Sequence, residues 1–220
     1  SEPVEVVTTD GCENLNPLHC MLPFPSNAFL ISDNSTTTGY KVNYASNTLP
    51  SSGTTSNVEI AALNRFDGFS PSTQIMTAFT TVPNLTGVAN QHSIATSLSS
   101  DHATVLLNLK TGERVAHWIE VDDRATNPSA TIVFMRTLRA LDYDTTYGVA
   151  FFGLTDLSGN PITSSNAMQA IIDGDETTSP NIEERRGEIE ALLGDLELLD
   201  YQRADVKSAW VFHTASSQSI

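Results

Sequence analysis

Cys12 and Cys20 are the only cysteines among 220 residues, and His19 lies directly beside the second. These three side chains could begin a zinc site, but a closed site needs four ligands. In an acidic, Ser/Thr-rich chain a single close pair reads instead as one small disulfide loop. That places the protein outside the reducing cytosol. For a loop this short the chain-entropy estimate is roughly 2–3 kcal/mol, modest for so large a chain. Its expected work is to pin the stretch Leu22-Pro23-Phe24-Pro25, whose prolines exclude it from a helix.

Other chemistry-bearing patterns are weaker. A serine hydrolase would carry Gly-x-Ser-x-Gly on a strained strand-to-helix turn. The nearest approach, Gly68-Phe69-Ser70-Pro71-Ser72, has a proline after the serine and no second glycine. It reads as a loop before a strand at Gln74. The histidines are His19, His92, His102, His117 and His213, with no i, i+4 pair. His117 and His213 fall in strand-like runs and read as sheet residues. Carboxylates gather at Asp122 and Asp123, at Asp142 and Asp144, and at Asp173, Asp175 and Glu176. Such loops could hold Ca²⁺ in an extracellular sandwich, but none matches the twelve-residue calcium loop, and solvated turns are the expectation. No other cofactor is expected, and no metal ligands or catalytic residues are assigned. Trp118 and Trp210 read as core residues rather than sugar platforms.

Two N-glycosylation sequons, Asn34-Ser35-Thr36 and Asn84-Leu85-Thr86, agree with the cysteines about compartment. Asn127 is excluded by Pro128. The net charge is −15, the pI about 4.4, and no Lys/Arg cluster interrupts the acidity. Nucleic acid is therefore excluded as a partner, and anionic membranes are disfavoured. No apolar run is long enough to span a bilayer. Residues 1–8 lack the basic and apolar regions of a signal peptide, so a secreted form is expected to have lost its signal already.

The elements that would position these residues are mostly strands. Residues 1–65 read as an extended, Ser/Thr/Asn/Pro-rich segment packed on a sandwich, strand-like at 4–8, with one short strand at 40–44 and a flexible connector at 51–56. Residues 66–172 read as that β-sandwich. Alternation marks strands at 74–80, 104–109, 114–121, 130–135 and 146–152, and a turn at 156–161 precedes another short strand. Residues 173–220 break the pattern. Ser179 is a fair N-cap, Pro180 takes the first helical position, and Ile182, Ile189, Leu192, Leu193, Leu196 and Leu199 share one face of a helix over 179–199. A short helix at 204–207 and a terminal strand at 209–214 complete the chain.

Several stretches together resemble a known group. They are Cys20-Met21-Leu22-Pro23-Phe24-Pro25-Ser26-Asn27, Asp67-Gly68-Phe69-Ser70-Pro71, the run from Leu138 to Val149, Gly159-Asn160-Pro161-Ile162, Glu184-Arg185-Arg186, and the run from Ala209 to Ser216. In this order they resemble the N-terminal, non-catalytic region of large secreted or surface proteins related to the bacterial virulence-factor lipase group. The resemblance implies an Ig-like β-sandwich with a helical hairpin, continued in such proteins by an α/β-hydrolase region beyond Ile220. It transfers no catalytic residue to this chain. The expectation is a non-catalytic extracellular or cell-surface module, structural or interacting. It would partner a neighbouring domain of its parent protein or a second copy of itself by strand pairing. Two alternatives stand beside it: the accessory half of a secreted esterase or lipase, and a carbohydrate-binding module.

Overall fold

The strong strand-like run Thr146-Tyr147-Gly148-Val149-Ala150-Phe151-Phe152 becomes the central strand of one sheet. A computed structural model describes residues 2–50 and 59–219, so the connector expected at 51–56 lies outside the described residues. The chain is mainly β, in three antiparallel sheets. Strands β1 (Leu30–Ser32) and β2 (Tyr40–Val42) form a hairpin. Strands β3 (Ile75–Ala78), β5 (His117–Val121) and β6 (Ile132–Thr137) form a sheet in the order β3-β6-β5. Strands β4 (Thr104–Asn108), β7 (Thr146–Phe152) and β8 (Val206–His213) form another in the order β4-β7-β8. The helices are α1 (Ile60–Leu63), α2 (Asn166–Asp173) and α3 (Pro180–Leu198).

The two three-stranded sheets differ in burial, and the difference follows from period-2 alternation. In β3-β6-β5 the aligned row Ile75, Met135 and Ile119 is buried. Its neighbours Met76, Phe134 and Glu120 on the other face are half-exposed. In β4-β7-β8 nearly every residue is buried, so both faces must be covered. One face meets the first sheet: Phe151 stands edge-on to Phe79 just beyond β3, and Thr104 of β4 bonds His117 of β5. The other face receives α3. Gly148 makes this approach close, because a Cβ there would stand 2.4 Å from Leu192 of α3. The result is a helix layer on a doubly covered sheet on a half-covered sheet, around one continuous core.

Each outer edge of the two three-stranded sheets is met by a short piece of chain. Phe24 exchanges two backbone bonds with Met76 beyond β3, at 2.9 and 2.7 Å. Ile119 of β5 donates to the Ala89 carbonyl, and Val115 donates to Leu106 of β4. Beyond β8, Phe69 donates to the His213 carbonyl at 3.0 Å and accepts from Ala215 at 2.8 Å.

The structure corrects several expectations. The short strand expected after residue 161 is absent; the chain forms α2 instead. Ser165 caps α2 through the Met168 amide, and Gly174 ends it in the left-handed region at φ 78°. The helix expected at 204–207 is a single 3₁₀ turn at Arg203–Asp205, and β8 begins at Val206. The second helix of the expected C-terminal hairpin is therefore not formed, and the helix neighbouring α3 in the chain is α2, which precedes it. Of the strand expected at 4–8 only Val4 pairs, with Thr177. Ser179 occupies the N-cap backbone position without a capping bond from its side chain. Glu183 reaches back instead, accepting from the amide and hydroxyl of Thr177 at 2.8 and 2.6 Å.

Gly68 is needed for close approach, not for a nucleophilic turn. A Cβ there would lie 2.6 Å from the Ala215 backbone nitrogen and 2.7 Å from the Thr214 carbonyl carbon. Backbone atoms cannot rotate away. Gly68→Ala should therefore cost about 1–3 kcal/mol in chemical denaturation, and an unchanged midpoint would contradict the packing at this crossing.

Candidate functional site

The N-terminal cysteines do pair. Cys12 and Cys20 form a disulfide with Cα atoms 4.5 Å apart. The loop is held from outside by Thr48, whose hydroxyl donates to the Gly11 carbonyl at 2.6 Å, and by Asn47, which donates to the Asp10 carbonyl at 2.8 Å. Immediately after Cys12, the chain turns Glu13 inward. Its side chain is 0% exposed and meets Arg185 of α3, which is 9% exposed. The guanidinium is bidentate on the carboxylate, at 2.5 Å to Oε1 and 3.1 Å to Oε2. The Ser26 hydroxyl donates to the same carboxylate, and the Leu15 amide donates at 3.2 Å. Arg185 places a further N–H on the Asn181 side-chain oxygen at 2.9 Å. Both charges are thus fully engaged, as burial requires. The Pro25 carbonyl, one residue before Ser26, accepts from the Trp210 indole at 2.8 Å. The peptide bonds before Pro23 and Pro25 are cis.

Beside this pair lies a groove of about 390 Å³ between α3 and the β1–β2 hairpin. Leu30, Ser32 and Tyr40 line it from the hairpin, and Glu184, Arg185 and Glu188 from the helix. Asn27 closes one end and donates to Glu188 Oε2 at 2.8 Å. Burial pushes the Glu188 carboxyl above its ordinary value, against the lowering influence of Asn27 and Arg185, with Glu13 adding to the rise.

Two histidine clusters lie elsewhere. His213 Nδ1 stands 2.7 Å from the Thr146 hydroxyl and its Nε2 2.9 Å from Asp144. A hydroxyl, an imidazole and a carboxylate in that order are the parts of a nucleophilic relay. Here the ring is 8% exposed, and the Tyr40 ring lies against it with centroids 5.1 Å apart. Thr146 itself sits in the middle strand of a paired sheet. The ring is buried, whereas Thr146 is half-buried and Asp144 exposed, and the two contacts tie β7, β8 and Asp144 together. The second cluster lies between the sheets. His117 Nδ1 donates to the Val115 carbonyl, and Thr104 donates to Nε2 at 2.7 Å. His102 accepts from the Ala89 amide at 2.9 Å. Burial lowers His117 to about 4, helped by His102 and Arg114.

The residues singled out in the sequence scatter. Asn34 is exposed in the β1–β2 turn. Asn84 is half-buried, its side chain accepting from the Thr86 amide at 3.0 Å. The carboxylates serve separate local contacts: Asp122 with Arg124, Asp144 with His213, Asp173 with Gln169. Among the described residues no three His, Cys, Asp or Glu side chains gather as a metal set. Ser70 accepts from the Ser72 amide in a turn. Trp210 is fully buried, whereas Trp118 is half-exposed and donates to Glu120 at 2.9 Å. Sequence reasoning missed Glu13, Asn27, Arg185 and Glu188 as a group. One signal was present: Arg185 falls at helical spacing between Ile182 and Ile189, a charge inside an apolar stripe that must find a buried partner.

No protein-family description, no curated protein and no solved structure matches the chain.

Arg185→Ala strands the Glu13 carboxylate and should destabilise by about 3–5 kcal/mol, whereas Glu13→Gln with Arg185→Met should recover much of that loss. Denaturation of the three proteins checks this, and a loss below about 1 kcal/mol for the single variant contradicts a buried pair. His117 gives a pH signature. Its folded value of about 4 lies below the ordinary 6.5. Between these values the unfolded chain binds the proton and the folded chain does not. Its contribution is complete above pH 6.5 and falls away as pH drops towards 4, by at most about 3 kcal/mol. His117→Gln should flatten this slope, and an unchanged slope would clear His117 of the effect.

Proposed function

We propose that the chain is a non-catalytic extracellular interaction module: an Ig-like β-sandwich carrying the α2–α3 pair as an added layer. The Cys12–Cys20 disulfide carries this reading, because a structural bond of this kind persists in oxidising compartments. The net charge of −15 supports a solvated, self-repelling surface. None of the described helices is long and apolar enough to cross a membrane. Asn34 and Asn84 are the proposed glycan acceptors, Asn34 being the more accessible.

The partner is a second copy of the chain or a neighbouring domain of the same parent protein. Capped edges disfavour random strand addition, so assembly requires a segment that can leave its place. Residues 2–8 fit that role better than β8. Val4 holds to residues 176–178 by two backbone bonds, and Val6 adds one bond to Thr178. β8 is in register with β7 from His213 to Val206. Donation of residues 2–8 to a second copy would link chains without opening the sheets.

Light scattering on the chain and on a form lacking residues 1–9 tests the assembly. The full chain should associate and the shortened one should be monomeric; equal masses contradict strand donation. Intact mass of protein made through a secretory pathway should show the disulfide as a two-hydrogen loss and glycans that Asn34→Gln and Asn84→Gln each remove in turn. Ester hydrolysis abolished by Thr146→Val would overturn the non-catalytic reading.

A further inference from the structure

We infer that Asn27 and Glu188 form a proton-operated latch between α3 and the 3₁₀ turn at Asn27–Phe29. With a proton on Oε1, Glu188 closes a two-bond ring with the Asn27 amide; without it, only one bond remains. The Asn27 nitrogen already donates to Glu188 Oε2 at 2.8 Å. The other oxygen of each group, Asn27 Oδ1 and Glu188 Oε1, is shut off from solvent and has no hydrogen-bond partner. Two acceptors on the free side of an amide–carboxylate contact repel each other. One proton on Oε1 would turn that oxygen into a donor, and in the proposed latch the orphaned amide carbonyl accepts from it, satisfying both atoms together.

The surroundings favour taking up that proton. Glu184 and Arg185 adjoin Glu188 on α3, Glu13 approaches from the disulfide loop, and Tyr40 lines the same groove from β2. The one cation among them, Arg185, is already engaged bidentately by Glu13. Burial raises Glu188, and this outweighs the lowering by Asn27 and Arg185. A raised carboxyl stabilises the fold below its ordinary value of 4.5 and loses that contribution as pH rises through the folded value. This is opposite to His117, so single variants separate the two. Because Glu188 lines the groove, acidification closes the latch and removes negative charge from the groove wall, while higher pH restores the charge and loosens the turn.

A ¹³C carboxyl titration of Glu188, read alongside hydrogen exchange of the Phe29 amide, tests the latch. That amide bonds the Ser26 carbonyl within the turn. Glu188 should titrate above 4.5. Phe29 protection, corrected for intrinsic exchange, should fall about tenfold as pH rises through that midpoint. Glu188→Gln supplies a permanent donor and cannot ionise, so it should keep the acid-state protection throughout. Asn27→Ala, which removes the ring while leaving α3 intact, should make protection low and independent of pH. A Glu188 midpoint at or below the ordinary value, or the same pH dependence in either variant as in the parent, overturns the proposal.

Discussion

Arg185 and Glu13 are 172 positions apart, and the position of everything near the N-terminus depends on their meeting. Each ion would be prohibitively costly to bury alone. Together they fix the rotation of α3, because Arg185 projects from the same stripe as Ile182 and Ile189. They also fix the disulfide loop, because Glu13 directly succeeds Cys12, and they fix Ser26, which donates to the same carboxylate. Ser26 in turn caps the turn that places Asn27 against Glu188 and leads into β1. A single buried pair thus joins a disulfide, a proline-rich segment, a helix and a hairpin. The disulfide alone could not do this, since its loop closes on itself within eight residues.

The second constraint is the doubly covered sheet. A sheet with apolar residues on both faces forces a helix layer onto one of them. Leu192 presses where Gly148 leaves room, and Leu193, Leu196 and Ile189 are buried around it. Helix α3 therefore has two duties: its apolar stripe seals the sheet, and Arg185 within that stripe anchors the N-terminal segment. Arg203 ties the far end, donating to the carbonyls of Ile171 and Ile172 at the close of α2 and pairing with Glu190 of α3. Rotation of α3 about its axis would break the seal and the anchor at once.

What could be read in the sequence was local. Strand β7 matches its apolar run from end to end, and α3 lies where its proline and stripe put it, although Ser179 makes no capping bond, because both signals depend on near neighbours. The region after Pro161 reads wrongly as strand. Its apolar residues are too few to separate period 2 from period 3.6, and the capping role of Ser165 decides the matter. The disulfide was legible because no other pairing existed. The bonds that define the candidate site were not, since they join residues far apart: Asn27 with Glu188, His213 with Asp144, Trp210 with Pro25. Only Arg185, as a charge inside an apolar stripe, announced that a distant partner had to exist.

Tyr40 links these constraints to the histidine contact on β8. Its ring lies on His213 and lines the groove next to Glu188. Both nitrogens of the His213 ring are engaged, by Thr146 and Asp144, and the tyrosine that β2 sets beside it packs against the ring. The position of β2 is itself dictated by the hairpin with β1, by the turn at Ser26, and so by Glu13 and Arg185. The buried pair that organises the N-terminal segment therefore also sets Tyr40 against the hydroxyl–imidazole–carboxylate line. What it leaves open is the groove on the other side of Tyr40, with a carboxyl at its edge.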